Sequence, residues 1–211
     1  MLKRFFTEEA RARVEAAVRE AETRSRGQVV PIVVEKSSGY PEARYRGAVL
    51  GAALATVVVL ALRLPLTLAE LPLVQLAAGL TGALVALWDP IERVLAGRVE
   101  LELAARERAV RAFHEHGLHR TAEGTGVLVF ASLFEHRAVV IGDRGIHEKM
   151  GEAEWQRAVA ALVAGMRRDD PAAGFCEAIA LCGAKLAEHF PRDPGGGPGN
   201  ELPDALRASR S

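Results

Sequence analysis

Apolar residues are spaced along this chain in two distinct ways. From Gly47 to Leu62, and again from Leu71 to Trp88, they occur on every side of a helical wheel, and the only charges between these limits are Arg63 and Glu70. Each block is roughly 16–18 residues long, the lower edge of what crosses a hydrocarbon core as a helix. Neither shows the polar stripe of a helix lying on a soluble core. The pattern predicts a transmembrane helical hairpin over 47–88; the alternative is a buried helix pair inside a larger globular fold.

Elsewhere the spacing is that of a soluble domain. Thr7 is a helix N-cap, followed by Glu8 and Glu9 at the positive helix end, with Val14, Ala17, Val18 and Ala21 on one face. Gln28 to Glu35 reads as a strand buried on both faces. Pro31 within it points to an edge position or a bulge. Pro90 opens a single amphipathic helix over Ile91–Glu115, which Gly117 ends. Thr125–Ser132 and Arg137–Ile141 form a hairpin of strands, with a turn at Gly142–Gly145. Helices follow over Glu152–Arg168 and Pro171–Phe190. Gly195–Gly199 is a flexible spacer, and a short segment ends the chain, docked through Leu202 and Leu206. Two strands joined by a crossover helix are parallel. The expected fold is α/β: a small mixed sheet flanked by helices, an α/β/α sandwich, with the helical hairpin inserted. Residues 1–46 and 89–191 together make the α/β/α domain, 47–88 the insertion, and 192–211 a flexible tail.

Lysines and arginines equal aspartates and glutamates at 27 each. That balance argues against nucleic acid as a partner, since such binders carry a basic excess or stripe. The start, Met1-Leu-Lys-Arg-Phe-Phe-Thr, lacks the apolar core of a signal peptide. Arg44 and Arg46 precede the hairpin and Arg93 and Arg98 follow it, so the positive-inside rule puts both flanks in the cytoplasm. Trp88 sits where a headgroup anchor belongs. The expected partners are the lipid bilayer through 47–88 and a membrane or cytoplasmic protein. Gly47 and Gly51 form a GxxxG spacing, which serves either packing of the two hairpin helices or a homo-oligomer.

The helix leading through Arg26-Gly27-Gln28-Val29-Val30, the block TGVLVFASLFEHRAVVIGDRGI over Thr125–Ile146, Trp155, His189-Phe190-Pro191 and Asn200-Glu201-Leu202-Pro203-Asp204 together resemble the TPM-domain family. The resemblance covers nearly the whole chain and is nearest to a bacterial membrane branch with an apolar insertion after the first strand. It implies the α/β/α fold; many family members are secreted or lumenal and carry a signal peptide, an arrangement from which this chain departs, and with the flanking arginines the expected location is the bacterial cytoplasmic membrane with the soluble domain in the cytoplasm. Some plant relatives are associated with photosystem repair and with acid-phosphatase activity, whereas the role of the bacterial branch is unassigned.

Two polar groupings are candidate sites. At one end of the sheet His114, His116 and His119 are expected to meet Asp143, Arg144, His147 and Glu148. Imidazoles beside carboxylates suit a transition metal, and Asp143 with Glu148 suits calcium or another divalent cation. The candidate ligands are Asp143, Glu148, His114 and His119. The bland alternative is histidines favoured by a helix C-terminus and an aspartate capping its own turn. At the other, membrane-proximal end lie Glu35, Ser132, Glu135 and His136. There Ser132 is a nucleophile only with a base in reach, and adjacent turn residues Glu135 and His136 point apart. No cofactor is predicted. Neither cysteine has an arginine six residues on, since Cys182 follows Cys176 and Glu188 follows Cys182. No phosphate-binding glycine loop joins a strand to a helix. The function expected is therefore a membrane-anchored interaction or assembly module without catalysis. The alternative is a metal-dependent phosphate-ester hydrolase.

Overall fold

The computed structural model describes residues 2–121, 123–192 and 205–209. In chain order the elements are α1 (Leu2–Phe5), α2 (Glu8–Arg24), β1 (Gln28–Val34), α3 (Pro41–Ala61), α4 (Glu70–Val85), α5 (Asp89–Ala96), α6 (Arg98–Glu115), β2 (Gly126–Ser132), β3 (Arg137–Gly142), α7 (Arg144–His147), α8 (Glu152–Arg167), α9 (Pro171–His189) and β4 (Arg207–Ser209). They divide into two units, one of residues 1–37 with 103–211 and one of residues 38–102.

The first unit is built on a mixed sheet of order β3-β2-β1-β4. β1 pairs in parallel with β2 and β4, while β2 and β3 form an antiparallel hairpin. The strands are apolar at nearly every position because both faces are covered. On one face Val29, Val33, Val127 and Val129 pack with Val18, Leu162, Phe175 and Ile179 from α2, α8 and α9. On the other, Val30, Ile32, Leu128 and Phe130 pack with Ala109, Ala112 and Phe113 of α6. This is the expected sandwich with helices on both faces. The cap at Thr7 also forms, its hydroxyl accepting from the Ala10 N–H at 3.2 Å.

Three expectations change. β1 is neither an edge strand nor bulged; it lies between β2 and β4. Successive backbone groups alternate sides of a strand. The Val29 N–H reaches Glu22 (3.0 Å) and the Glu35 N–H reaches the Ser209 carbonyl (3.0 Å), both away from β2. Pro31 falls on that same side, just before β4 begins opposite Ile32, so its missing N–H breaks no bond to β2. The second change concerns the tail. Arg207–Ser209 form a strand, so this part of 192–211 is not a loose segment, and Leu206 is buried. Leu202 and the glycine spacer lie outside the described residues. The third change is that the helix expected over Ile91–Glu115 is two, parted at Gly97 with φ +85°, a conformation that glycine adopts without strain.

The second unit contains the helix pair α3 and α4. They approach so closely that a Cβ on Gly51 would lie 2.4 Å from the Ala78 carbonyl oxygen, and one on Gly82 would collide with the Gly47 carbonyl. The face offered by Gly47 and Gly51 is thus occupied by α4, and the GxxxG spacing serves packing within the chain. The Gln75 amide donates to Thr56 Oγ at 2.7 Å across this interface. Thr67 donates through both its N–H (2.7 Å) and its hydroxyl (2.8 Å) to the Glu70 carboxylate, tying the turn before α4 to its first residue. At the base, Arg46 donates to the Ala96 carbonyl (2.9 Å) at the end of α5 and pairs with Glu100 (2.6 Å). α3 begins at Pro41, earlier than expected, and by length and composition it is a helix able to cross a membrane. α4 has 16 residues and meets α5 at a 102° bend, so it is short for a second span.

Candidate functional site

The grouping of Glu35, Ser132, Glu135 and His136 holds a buried polar knot. Ser132 ends β2, Glu135 lies in the turn to β3, and Ser37 follows β1. The Ser37 hydroxyl donates to Ser132 Oγ at 2.8 Å, and the Ser132 hydroxyl donates in turn to the Glu135 carboxylate. The Ser37 N–H donates to the second carboxylate oxygen at 2.8 Å. Ser132 is fully enclosed and Glu135 only 2% exposed. A buried carboxylate is tolerable when such donors surround it. The arrangement clamps the end of β1 onto the β2–β3 turn, and its hydroxyls are shielded from any substrate. His136 takes φ +51° and faces solvent, so it and Glu135 do point apart. Glu35 joins the backbone ladder, its carbonyl accepting from the Phe134 N–H at 2.9 Å. Ser37 was the member missing from the sequence reading, because only folding brings a loop serine beside residues nearly a hundred positions away.

The opposite grouping separates into smaller contacts. Asp143 accepts from the Arg144 N–H at 2.8 Å and caps the short α7. Arg144 pairs with Glu148 at 3.0 Å in the open. His114 and His119 lie ring to ring with centroids 4.9 Å apart, and His147 stacks on Trp155 at 6.1 Å. His116 meets Arg207 of β4 through Nδ1. Desolvation, and then the Arg207 charge, hold its imidazole below the usual value. Among the described residues no three His, Cys, Asp or Glu side chains converge as a metal site would require. Burial pushes the Cys182 thiol up to about 12 and raises Cys176 as well, which leaves both as packing residues rather than nucleophiles.

A third place was not read from the sequence. Along the free side of β3 runs a groove of about 900 Å³. Val140 and Trp155 with Val159 and Val163 of α8 give it an apolar wall; Arg106 of α6 and Arg167 of α8 stand at its sides. Trp155 is buried, and its indole N–H has no acceptor among the described residues. The residues come from three elements scattered over sixty positions, so no local motif announces them.

No family model matches the chain, and no curated protein matches it. Among solved structures it is similar to the BA42 protein of the psychrophilic bacterium Bizionia argentinensis, determined by NMR. The two share 17% identity and a TM-score of 0.61 over 99% of this chain and 98% of the other. At that identity the likeness concerns the fold alone.

Proposed function

We propose that this protein is a membrane-anchored, TPM-like domain that binds or assembles a protein partner without catalysis of its own. One observation carries the anchoring: α3 and α4 spend their small residues on each other and leave their large apolar residues bare. Leu54, Leu73, Leu80 and Leu84 are all 60% or more exposed. A contiguous apolar surface of this kind is foreign to a monomer in water and natural in lipid. The Gln75–Thr56 bond inside the pair fits the same solvent, since interhelical side-chain bonds are part of how helices associate there. Arginines on both flanks of the hairpin support a cytoplasmic side for the domain. The interaction role is favoured by the character of the polar groups: the Ser132–Glu135 pair is sealed and Asp143 is engaged as a cap.

The test is flotation of the full chain with liposomes, followed by carbonate extraction of membranes. The expected result is that the chain floats and resists carbonate, while L54R/L80R does neither. Each arginine at the centre of a span costs about 2.5–3.5 kcal/mol on the insertion scale. A wild-type chain that stays monodisperse in buffer without detergent and remains at the bottom of the gradient overturns the reading.

A further inference from the structure

The two sides of the sheet are finished differently. On the far side the sheet ends in the three-residue β4, which covers Ile32–Val34 of β1, while Glu22 accepts from the Val29 N–H and Pro31 has no N–H to offer. On the β3 side nothing comparable occurs. The Asp143 N–H reaches the Gly126 carbonyl at 2.8 Å, so position 143 faces β2. By alternation Ile141, Val139 and Arg137 face β2 too, and the backbone groups of Ala138, Val140 and Gly142 point outward. Among the described residues no acceptor is found for these three N–H groups. Natural sheets normally blunt such an edge with proline, a bulge, a very short strand or a covering element. β3 is six residues long and contains no proline.

We infer that the β3 edge is a docking site for an extended protein segment that adds as a further strand and alternates apolar with acidic residues. This rests on the interaction-module part of the reading above and gives that module its site and the chemistry of its partner. Main-chain bonds to an open edge supply affinity, and pockets for alternate side chains supply specificity. The alternation follows from the groove. An added strand presents successive side chains to opposite faces of the sheet. One face meets the apolar wall of α8 at Trp155, Val159 and Val163, beside which the Trp155 indole N–H lacks an acceptor. The other face meets α6, where Arg106 stands without an ion-pair partner among the described residues. Arg167 gives a second such charge at the α8 end. The remaining lining charges nearly cancel: Arg144 is paired with Glu148, and Glu152 is the one acidic residue in the groove wall. The same arginines disfavour a second copy of this chain, because pairing β3 with β3 about a two-fold axis would bring like charges together.

The experiment uses the full chain in nanodiscs, with Trp88→Phe so that Trp155 is the sole tryptophan reporter. The probe is a capped octapeptide of alternating valine and glutamate, and the control has lysine in place of glutamate. The expected result is a saturable change in Trp155 emission with the glutamate peptide, at least tenfold weaker with the lysine peptide and weaker at high salt. Val140→Pro removes an outward N–H and leaves the ladder to β2 intact, and is expected to weaken binding at least tenfold. R106E/R167E, on exposed helix positions, is expected to do the same and guards against a folding defect in the proline variant. No saturable change, equal binding of the lysine peptide, or unchanged binding by both variants overturns the inference. A dimer in ultracentrifugation that Val140→Pro dissolves also overturns it, in favour of a second copy. If the chain floats with liposomes and the titration fails, the docking site falls and the anchor stands; titration without flotation is the reverse.

Discussion

In the sheet unit the largest side chains are the hidden ones: Phe130, Phe175 and Leu118 have no contact with solvent. In α3 and α4 the buried positions are Ala43, Gly47 and Gly79, while Leu54, Leu73 and Leu84 stand 64%, 65% and 67% exposed. Both regions are rich in leucine, valine and alanine, and composition alone does not separate them. What separates them is which residues are spent on protein contact. Water drives large apolar groups together, so the sheet unit puts them between its layers. Lipid supplies no such drive, so helices associate there through close backbone approach, and small residues are what permits it.

Three substitutions or conditions bear on that contrast. The largest effect is expected from Phe175→Ala. It removes a fully buried ring that packs edge-on against Phe6 at 5.8 Å, and the cost is about 3–5 kcal/mol. Urea denaturation followed by circular dichroism should show the loss in the sheet unit while α3 and α4 keep their helicity in detergent. Should the helix pair melt in the same transition, the two regions share one core and the contrast fails. Next is Gly51→Leu, which drives a side chain into the backbone of α4. Overpacking of this sort costs about 1–3 kcal/mol. Cysteine crosslinking between α3 and α4 should fall sharply while the urea midpoint of the sheet unit stays in place; unchanged crosslinking would mean that close approach is not what holds the pair.

The smallest effect concerns β4. His116 titrates below its ordinary value, roughly 6.5, because it is desolvated and faces Arg207. A depressed value in the folded protein means that the unfolded chain takes up the proton first. The contribution to stability is therefore complete above the ordinary value and is lost as the pH falls through the folded one. Acidification should loosen β4 and speed amide exchange at Glu35, whose N–H donates to Ser209. His116→Ala should remove that pH dependence; if it persists, another group is responsible.

The sandwich was readable because Gln28–Val34 and Gly126–Ser132 are continuous apolar runs that only a doubly covered sheet accommodates. The helix pair was readable from the missing polar stripe. β4 was not, because Arg-Ala-Ser carries no period and pairs through its backbone alone. The break at Gly97 was missed because a glycine within a helical pattern costs only about 1 kcal/mol and is often tolerated. At the candidate sites, Ser132 and Glu135 were expected only at the same end of the sheet; neither their bond to each other nor Ser37, 98 positions from Glu135, was legible in the spacing. His114 and His119 lie ring to ring and do not join Asp143 and Glu148 in one cluster among the described residues. Spacing had no means of showing that Asp143 is turned to its own backbone and Glu148 to Arg144. The groove beside β3 is a property of an unfilled edge, which no residue type encodes.

The parallel pairing of β1 with β2 has a consequence for how the chain is made. Nothing synthesised soon after β1 can pair with it on the β2 side, because the whole insertion and α6 come first; Ser37 and its partner Glu135 mark the gap at 98 positions. At about 5–20 residues per second the ribosome takes several seconds to bridge it. During that wait Val29, Val30, Ile32, Val33 and Val34 emerge with no sheet to enter, and the helix pair leaves the ribosome before the domain it interrupts is able to close. α3 and α4 are thus free to pack on each other before the sheet is complete, and the order of folding is written into the order of strands.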